Sequence, residues 1–366
     1  MSEVRVQVVM KQKSTVVSLF AGCGGSSLGY EQAGFQELLA VDFNDHAVET
    51  FRLNFPDVPM WKGDITTITP EKILQAIGLK KGELDVLDGS PPCQGFSSAG
   101  KRKMDDTRSD LVYDYLRILR GLMPRCFVME NVRGMAYGKM AGIFNNILKE
   151  MRKSGYVVKC KLMNAKNHGV AQSRTRAIFI GVRKDLKMEP VYPIPEARLI
   201  SMREALQGVP VESPPEVRSD EYKKVIPKMR QGMNMQDAGG KGFQQQRGVW
   251  MEPAPCLLKG VSTTPGYGDL FHPLEDRVLT TAEMKRICSF PDSFKFPKGK
   301  NAKMEWVNAR ERLGNAVMPE FMRRIAKALK QGVLDKLPAS ARPKLPVASR
   351  TSQKPTGKKK AARSPD

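Results

Sequence analysis

The stretch LDVLDGSPPCQGFSS, residues 84–98, joins a short apolar run to a proline-rich turn that carries a cysteine. The run 84–87 predicts a buried strand of a parallel sheet, which places Cys93 at the carboxyl edge of that sheet. Ligands and chemistry collect at this edge in open α/β sheets. Pro91 and Pro92 fix φ and stiffen the backbone before the thiol. This placement favours a nucleophile, with an ordinary buried cysteine as the alternative.

The segments around this stretch alternate between apolar runs and helical patterns. Strands are predicted at 15–20, 38–43, 59–65, 84–87, 125–129, 156–162 and 177–182. Helices are predicted to end near residue 33, to span 45–54, 109–122 and 143–152, and to begin at Thr69-Pro70, an N-cap followed by proline. The alternation predicts an α/β fold with a doubly wound, mostly parallel sheet.

The composition fits one large and one smaller domain and indicates a polyanionic partner. The 366-residue chain has a formal net charge of +22, a surplus that usually indicates binding to nucleic acid. Part of the surplus lies in the stretch from Gln331 to the end, which has nine Lys/Arg against two Asp, but the preceding residues are basic as well. Six scattered cysteines without a C-x-x-C pair argue against zinc and against a disulfide framework.

A glycine turn at 21–27, AGCGGSS, follows the first predicted strand and indicates a nucleotide-like ligand. It departs from the dinucleotide fingerprint G-x-G-x-x-G at the last position. Asp42 follows Gly22 by 20 residues, the interval expected for an acid that binds ribose hydroxyls. A ribose site without a pyrophosphate site favours S-adenosylmethionine, with Phe43 stacking on adenine and Asp64 accepting from its amine. Ordinary turn glycines and strand-end acids are the alternative.

Eight blocks of the chain resemble, in order, those of cytosine-5 DNA methyltransferases. They are FAGCGG (20–25), VDF (41–43), GDI (63–65), GSPPCQGFS (89–97), ENV (130–132), QSRTR (172–176), RVLTTAEMKRICSFPD (277–292) and RLGNAV (312–317). The match covers most of residues 15–330. It implies the Rossmann-like methyltransferase fold, with S-adenosylmethionine as methyl donor and no metal.

The resemblance also implies roles for individual residues. Cys93 would be the nucleophile that adds to C6 of cytosine, and Glu130 the acid at N3. Arg174 and Arg176 would brace the flipped base and Glu130; phosphate or salt-bridge roles are the alternative. The cofactor site would be lined by Phe20, Gly22, Gly24, Asp42, Phe43, Asp64, Ile65, Pro92, Leu111, Asn315 and Val317.

After Val182, frequent prolines and glycines break the strand–helix pattern and indicate a second, irregular domain, where family members recognise their target sequence. Basic and glutamine side chains within 216–250 suit phosphates and base edges, although a solvated loop is the alternative. The chain has PAPC at 253–256, where many members have Pro-x-Pro-Thr. The expected division is a polar leader (1–14), a catalytic and S-adenosylmethionine-binding domain (15–184), a target-recognition domain (185–300), a C-terminal helix returning to the catalytic domain (301–335) and a disordered basic tail (336–366).

The expected substrate is a specific sequence of double-stranded DNA, from which the target cytosine is flipped out. The alternatives are tRNA, which a close relative within the family methylates with the same cysteine block, and a non-catalytic role in nucleic-acid binding. A restriction endonuclease is a candidate partner, and the expected state is a monomer. With no bilayer-spanning apolar run and no signal-peptide pattern, the expected location is a bacterial cytoplasm or a phage-infected host.

Overall fold

The computed structural model describes residues 13–92, 110–136, 141–213, 220–241, 245–259 and 269–338. The residues outside these ranges include Cys93, residues 1–12, the stretch from residue 339 and three segments of the expected target-recognition domain (214–219, 242–244 and 260–268). Nine strands are described: β1 Ser14–Leu19, β2 Phe35–Asp42, β3 Met60–Lys62, β4 Val86–Gly89, β5 Cys126–Val132, β6 Tyr156–Asn164, β7 Thr175–Arg183, β8 Gln246–Arg247 and β9 Leu270–Phe271.

Ten α-helices are described in the same ranges. They are α1 Gly25–Gln32, α2 Asp45–Asn54, α3 Pro70–Ile77, α4 Asp110–Leu122, α5 Ala141–Lys153, α6 Met202–Leu206, α7 Asp220–Val225, α8 Thr281–Ile287, α9 Ala302–Asn315 and α10 Pro319–Gly332. The Thr69-Pro70 start is confirmed for α3: the Thr69 side chain accepts from the amide of Lys72 at 3.3 Å, and Gly78 ends the helix in the left-handed conformation.

Seven strands form the central sheet in the order β3-β2-β1-β4-β5-β7-β6. The first five are parallel, and β7 runs antiparallel to both β5 and β6. Successive residues of β1 belong to opposite apolar layers, Val16 to one and Val17 to the other, so the sheet is covered on both faces. The prediction of a doubly wound, mostly parallel sheet is confirmed. The strand order reverses between β1 and β4, the switch point at which such sheets bind ligands.

Two elements differ from the sequence-based expectation. The strand expected at 59–65 ends at Lys62, because the Asp64 carboxylate accepts from the Thr66 amide at 3.0 Å and starts a 3-10 turn instead. The stretch 301–335, expected to hold one helix, holds both α9 and α10. The chain is extended between them at Ala316 and Met318, and Pro319 starts the second helix.

The last long helix packs against the first one. A side chain at Gly29 of α1 would collide with α10, because an added Cβ would lie 2.6 Å from the Pro319 carbonyl oxygen and 2.7 Å from the Met322 Cβ. Glycine therefore allows the two helices to approach closely. This contact brings the segment that joins α9 to α10 next to the carboxyl edge of the central sheet.

Candidate active site

The turn between β1 and α1 forms a tight backbone loop at the switch point. Phe20, Gly22 and Gly24 all have positive φ, of 57°, 57° and 94°. Position 24 requires glycine for two reasons. Its positive φ disfavours other residues, and an added Cβ would lie 2.3 Å from the Phe55 ring. Gly22, by contrast, has no described atom within 4 Å of the place where a Cβ would be. The loop thus leaves open space over Gly22, where a ligand can approach the backbone.

Asp42, at the end of β2, is bonded directly to this loop. Its Oδ2 accepts from the Gly22 amide at 2.8 Å and its Oδ1 from the Asn44 amide at 2.9 Å. Burial raises the pKa of Asp42, although these hydrogen bonds and the nearby Arg312 oppose the shift. The adjacent Phe43 ring is 68% exposed. A half-buried carboxylate beside an open loop and an exposed ring suits a nucleoside.

The segment between α9 and α10 covers the other side of the loop. A Cβ added to Gly25 would lie 2.1 Å from the carbonyl oxygen of Val317, which is itself largely buried, whereas Asn315 is exposed. Arg312 is buried and donates from Nη1 to the Asn44 side chain at 2.7 Å. Arg312 and Asn44 were not among the predicted site residues, although Arg312 belongs to the quoted block RLGNAV and could have been selected from it.

The remaining predicted cofactor residues lie at neighbouring strand ends or on α4. Asp64 is exposed and Ile65 buried, and their segment is joined to β2 because the Gly63 amide donates to the Asp42 carbonyl at 3.0 Å. Pro92 follows β4 and Leu111 lies in the first turn of α4, both half-buried. These residues line the same edge of the sheet by position in the fold.

Glu130 lies near the carboxyl end of β5, next to the start of the cysteine turn. Its Oε1 pairs with the Nε of Arg176 on β7 at 2.8 Å, and the two side chains are only 12% and 16% exposed. The following residue, Asn131, donates from Nδ2 to the Pro91 carbonyl at 3.2 Å. The backbone that leads into Cys93 is therefore tied to the strand that carries Glu130, whereas Cys93 itself lies outside the described residues.

Arg174 is held differently from Arg176. Its guanidinium Nη1 donates to the Leu257 carbonyl at 3.2 Å and to the Cys256 sulfur at 3.5 Å, both within the stretch 185–300 expected to form the second domain. Burial lowers the pKa of Arg176, and the nearby positive charge of Arg174 lowers it further, while Glu130 acts in the opposite direction. The two arginines are thus close enough to repel each other, but only Arg176 has a described ion pair with Glu130.

Residues 14–331 match the family model described as C-5 cytosine-specific DNA methylase. The chain belongs to this family. It is 33% identical over 341 residues to the type II methyltransferase M1.HphI of Haemophilus parahaemolyticus, covering 86% of each chain. It is 34% identical over 345 residues to M.Sau96I of Staphylococcus aureus, covering 88% of this chain and 77% of that one.

A solved structure gives the same result for the fold. A DNA modification methyltransferase encoded within an E. coli prophage superposes with a TM-score of 0.71 at 26% identity, covering 88% of this chain and all of that one. The resemblance inferred from the eight sequence blocks is therefore confirmed, and the enzyme is a DNA cytosine-5 methyltransferase.

The described part of the methylase contains no group of three or more His, Cys, Asp or Glu placed to hold a metal ion. None of its described helices is long and apolar enough to cross a membrane.

Proposed function

We propose that this methylase transfers a methyl group from S-adenosylmethionine to C5 of a cytosine within a specific double-stranded DNA sequence, with Cys93 as a covalent nucleophile. The observation that carries the proposal is the Glu130–Arg176 pair beside the strand end that leads into the cysteine turn. An acid held at this position, next to a turn of sequence SPPCQG, is what covalent addition to a pyrimidine ring requires.

The loop around Gly22 fits an adenosyl group. The Asp42 carboxylate accepts from backbone amides that include those of Gly22 and Asn44, and its two oxygens have four lone-pair sites in all, so it can also accept a ribose hydroxyl. Phe43 offers an exposed ring on which adenine can stack, and the carbonyl of Val317 packs close to Gly25 on the far side of the loop. We assign the exposed Asn315, two residues earlier, to the same site. When bound, S-adenosylmethionine supplies an electrophilic methyl group.

The protein residues then activate the base. Addition of the Cys93 thiolate to C6 breaks the C5–C6 double bond and shifts electrons toward N3 and O2, which turns C5 into a nucleophilic enamine carbon. Glu130 donates a proton to N3 as this charge develops, and Arg174 steadies O2. After methylation, a base accepts the C5 proton, the electron pair of the C5–H bond re-forms the C5–C6 double bond, and the C6–S bond breaks to release the Cys93 thiolate. The N3 proton returns to Glu130.

Arg176 holds the Glu130 carboxyl group at the strand end, because its Nε lies 2.8 Å from Oε1 and both side chains are largely buried. We infer that Arg176 keeps this carboxyl group in place while Glu130 acts on N3 of the flipped cytosine.

We further assign target recognition to residues 185–300 and catalysis and cofactor binding to 15–184, with 301–335 returning to the catalytic domain and 336–366 acting as a basic arm. The packing of α10 on α1 supports the third of these assignments. We also propose that the enzyme acts as a monomer in a bacterial cytoplasm or a phage-infected host, with a restriction endonuclease as partner. The similarity to type II methyltransferases of bacteria supports the bacterial setting and the endonuclease.

Bisulfite sequencing tests the proposal in one step. DNA from bacterial cells expressing the full chain should show 5-methylcytosine within one short sequence context. DNA from cells expressing Cys93→Ala should show none. Methylation confined to tRNA from the same cells would replace the DNA assignment, and equal methylation by the Cys93→Ala variant would refute the covalent mechanism.

A further inference from the structure

The segment 254–257 of the second domain is bonded to the stretch that carries Arg174. The Ala254 amide donates to the Ala171 carbonyl and the Ser173 amide donates to the Ala254 carbonyl, both at 2.8 Å. Together they form a short parallel bridge between Gln172 and Ala254, two residues that are fully buried. The two segments therefore keep a fixed register relative to each other.

This register places two acceptors of the second domain against the guanidinium of Arg174. Nη1 donates to the Leu257 carbonyl at 3.2 Å and to the Cys256 sulfur at 3.5 Å. The Arg174 backbone is fixed on the catalytic side, with its amide donating to the Asn164 side chain and its carbonyl accepting from Ala165, both at 3.0 Å. The backbone thus belongs to one domain, and the described contacts of the guanidinium belong to the other.

The charge distribution explains why acceptors are needed there. Arg174 is only 6% exposed and lies close enough to Arg176 to lower the pKa of that residue. Arg176 has the Glu130 carboxylate as a partner, and the Leu257 carbonyl and the Cys256 thiol are the described partners of the Arg174 guanidinium. An arginine side chain has many rotamers, so partners that hold it before the substrate arrives remove an ordering cost from the reaction.

We propose that Cys256 is a positioning residue that holds the Arg174 guanidinium in place for the flipped cytosine. This rests on the proposed function, in which Arg174 contacts the base. The 254–257 segment thereby links the placement of the second domain to the geometry of the catalytic site. Many family members have threonine where Cys256 stands, and a hydroxyl oxygen can accept from the same guanidinium.

The contribution of the Cys256 thiol can be tested by substitution, because it is a side chain, whereas the other acceptor for Arg174 is the backbone carbonyl of Leu257. In the full chain, Cys256→Ala should lower the single-turnover rate of methyl transfer about tenfold, the worth of a hydrogen bond to a charged group. KM for S-adenosylmethionine and affinity for the mapped DNA site should stay within about twofold. Cys256→Ser and Cys256→Thr should recover most of the rate. Cys160→Ala, which removes another half-buried thiol, on β6, should leave the rate unchanged.

A double-mutant cycle with Arg174→Ala separates positioning from other roles. If Cys256 acts through Arg174, adding Cys256→Ala to Arg174→Ala should cause no further loss of rate. The same tenfold loss in that background, or a Cys256→Ala enzyme with wild-type rate, would overturn the proposal. Weaker DNA binding with an unchanged rate would overturn it as well, because it would indicate a direct contact with DNA. Wild-type enzyme that is inactive on DNA would refute the proposed function, and this inference with it.

Discussion

The catalytic region of this methylase, residues 15–184, and the second region, residues 185–300, are stabilised by different kinds of contact. In the catalytic region, the central strands are buried on both faces, and several predicted site residues, such as Phe20 and Asp42, lie at their carboxyl ends. In the second region, the described strands β8 and β9 have two residues each. They pair with each other and, through isolated β-bridges, with Asn234 and Val278. The first region is organised by backbone ladders, and the second depends far more on side chains.

Charged networks take the place of a large sheet in the second region. Asp269, just before β9, pairs with the Arg310 guanidinium on α9 at 2.5 Å, so this almost fully buried ion pair joins the second region to the C-terminal stretch 301–335. Burial alone would raise the pKa of Glu283, but hydrogen bonds from Arg277 and from the Thr280 amide hold it below its usual value. Buried acids here are kept ionised by arginines.

Buried acids in the sheet include one without a described arginine partner. Asp88 on β4 is 3% exposed and accepts from the Tyr30 hydroxyl at 3.3 Å. Burial, together with the negative charge of Glu37, raises the pKa of Asp88 to about 8. The catalytic region thus holds a protonated acid beneath its site in addition to ion pairs such as Glu130–Arg176, whereas Asp269 and Glu283 in the second region are both paired with arginines.

The largest expected effect is chemical and belongs to the catalytic region. Glu130→Gln should lower the single-turnover rate of methyl transfer by about 10²–10⁴-fold, because the amide cannot donate an acidic proton to N3. Thermal stability should change little in comparison. Glu150→Gln is the matched control, since it removes another carboxylate paired with an arginine, at the surface of α5. Equal rates for Glu130→Gln and the control would remove Glu130 from the mechanism.

The catalytic region could be predicted well from the sequence because its signals are local. The 20-residue interval from Gly22 to Asp42 predicts that Asp42 belongs to the ligand site of the glycine turn. In the structure, the Gly22 amide donates a hydrogen bond to the Asp42 carboxylate. The Thr69 cap and the burial of β1 follow from patterns a few residues long. The ends of these strands meet at one edge by the geometry of any parallel sheet.

The contacts that complete the site could not be predicted in the same way. Arg312 bonds to Asn44 across 268 positions of the chain, and Arg174 to Leu257 across 83. Neither spacing corresponds to a helical or strand period, so periodicity carries no information about them. The position of β7 between β5 and β6 likewise depends on long-range packing rather than on chain order.

A second prediction tests the dependence of the second region on ion pairs. Asp269→Asn should lower the free energy of unfolding of that region by about 3–5 kcal/mol, because it leaves the buried Arg310 without its carboxylate partner. Limited proteolysis and urea unfolding should detect the loss. Glu275→Gln, which removes an exposed partner of Arg277, should change it by no more than about 1 kcal/mol. Equal effects of the two substitutions would contradict the contrast between the regions.

The third prediction concerns the protonated acid in the sheet. Between the pKa of unfolded aspartate and the folded value of about 8, the native protein binds a proton at Asp88 that the unfolded chain releases. Stability should therefore fall as pH rises through this window, by up to about 1.4 kcal/mol per pH unit from this group. Asp88→Asn should lose less stability between pH 6 and 8 in urea unfolding. Parallel pH curves for the two proteins would refute a protonated Asp88.

The most direct test of the central claim uses a duplex with 5-fluorocytosine at a mapped target site. Fluorine cannot leave C5 as a proton does, so the enzyme should add Cys93 to C6, transfer the methyl group and then stop. The predicted result is a protein–DNA band that survives denaturing electrophoresis, forms only with S-adenosylmethionine and is absent for Cys93→Ala. Normal turnover of the fluorinated site with no retarded band would contradict covalent catalysis at C5.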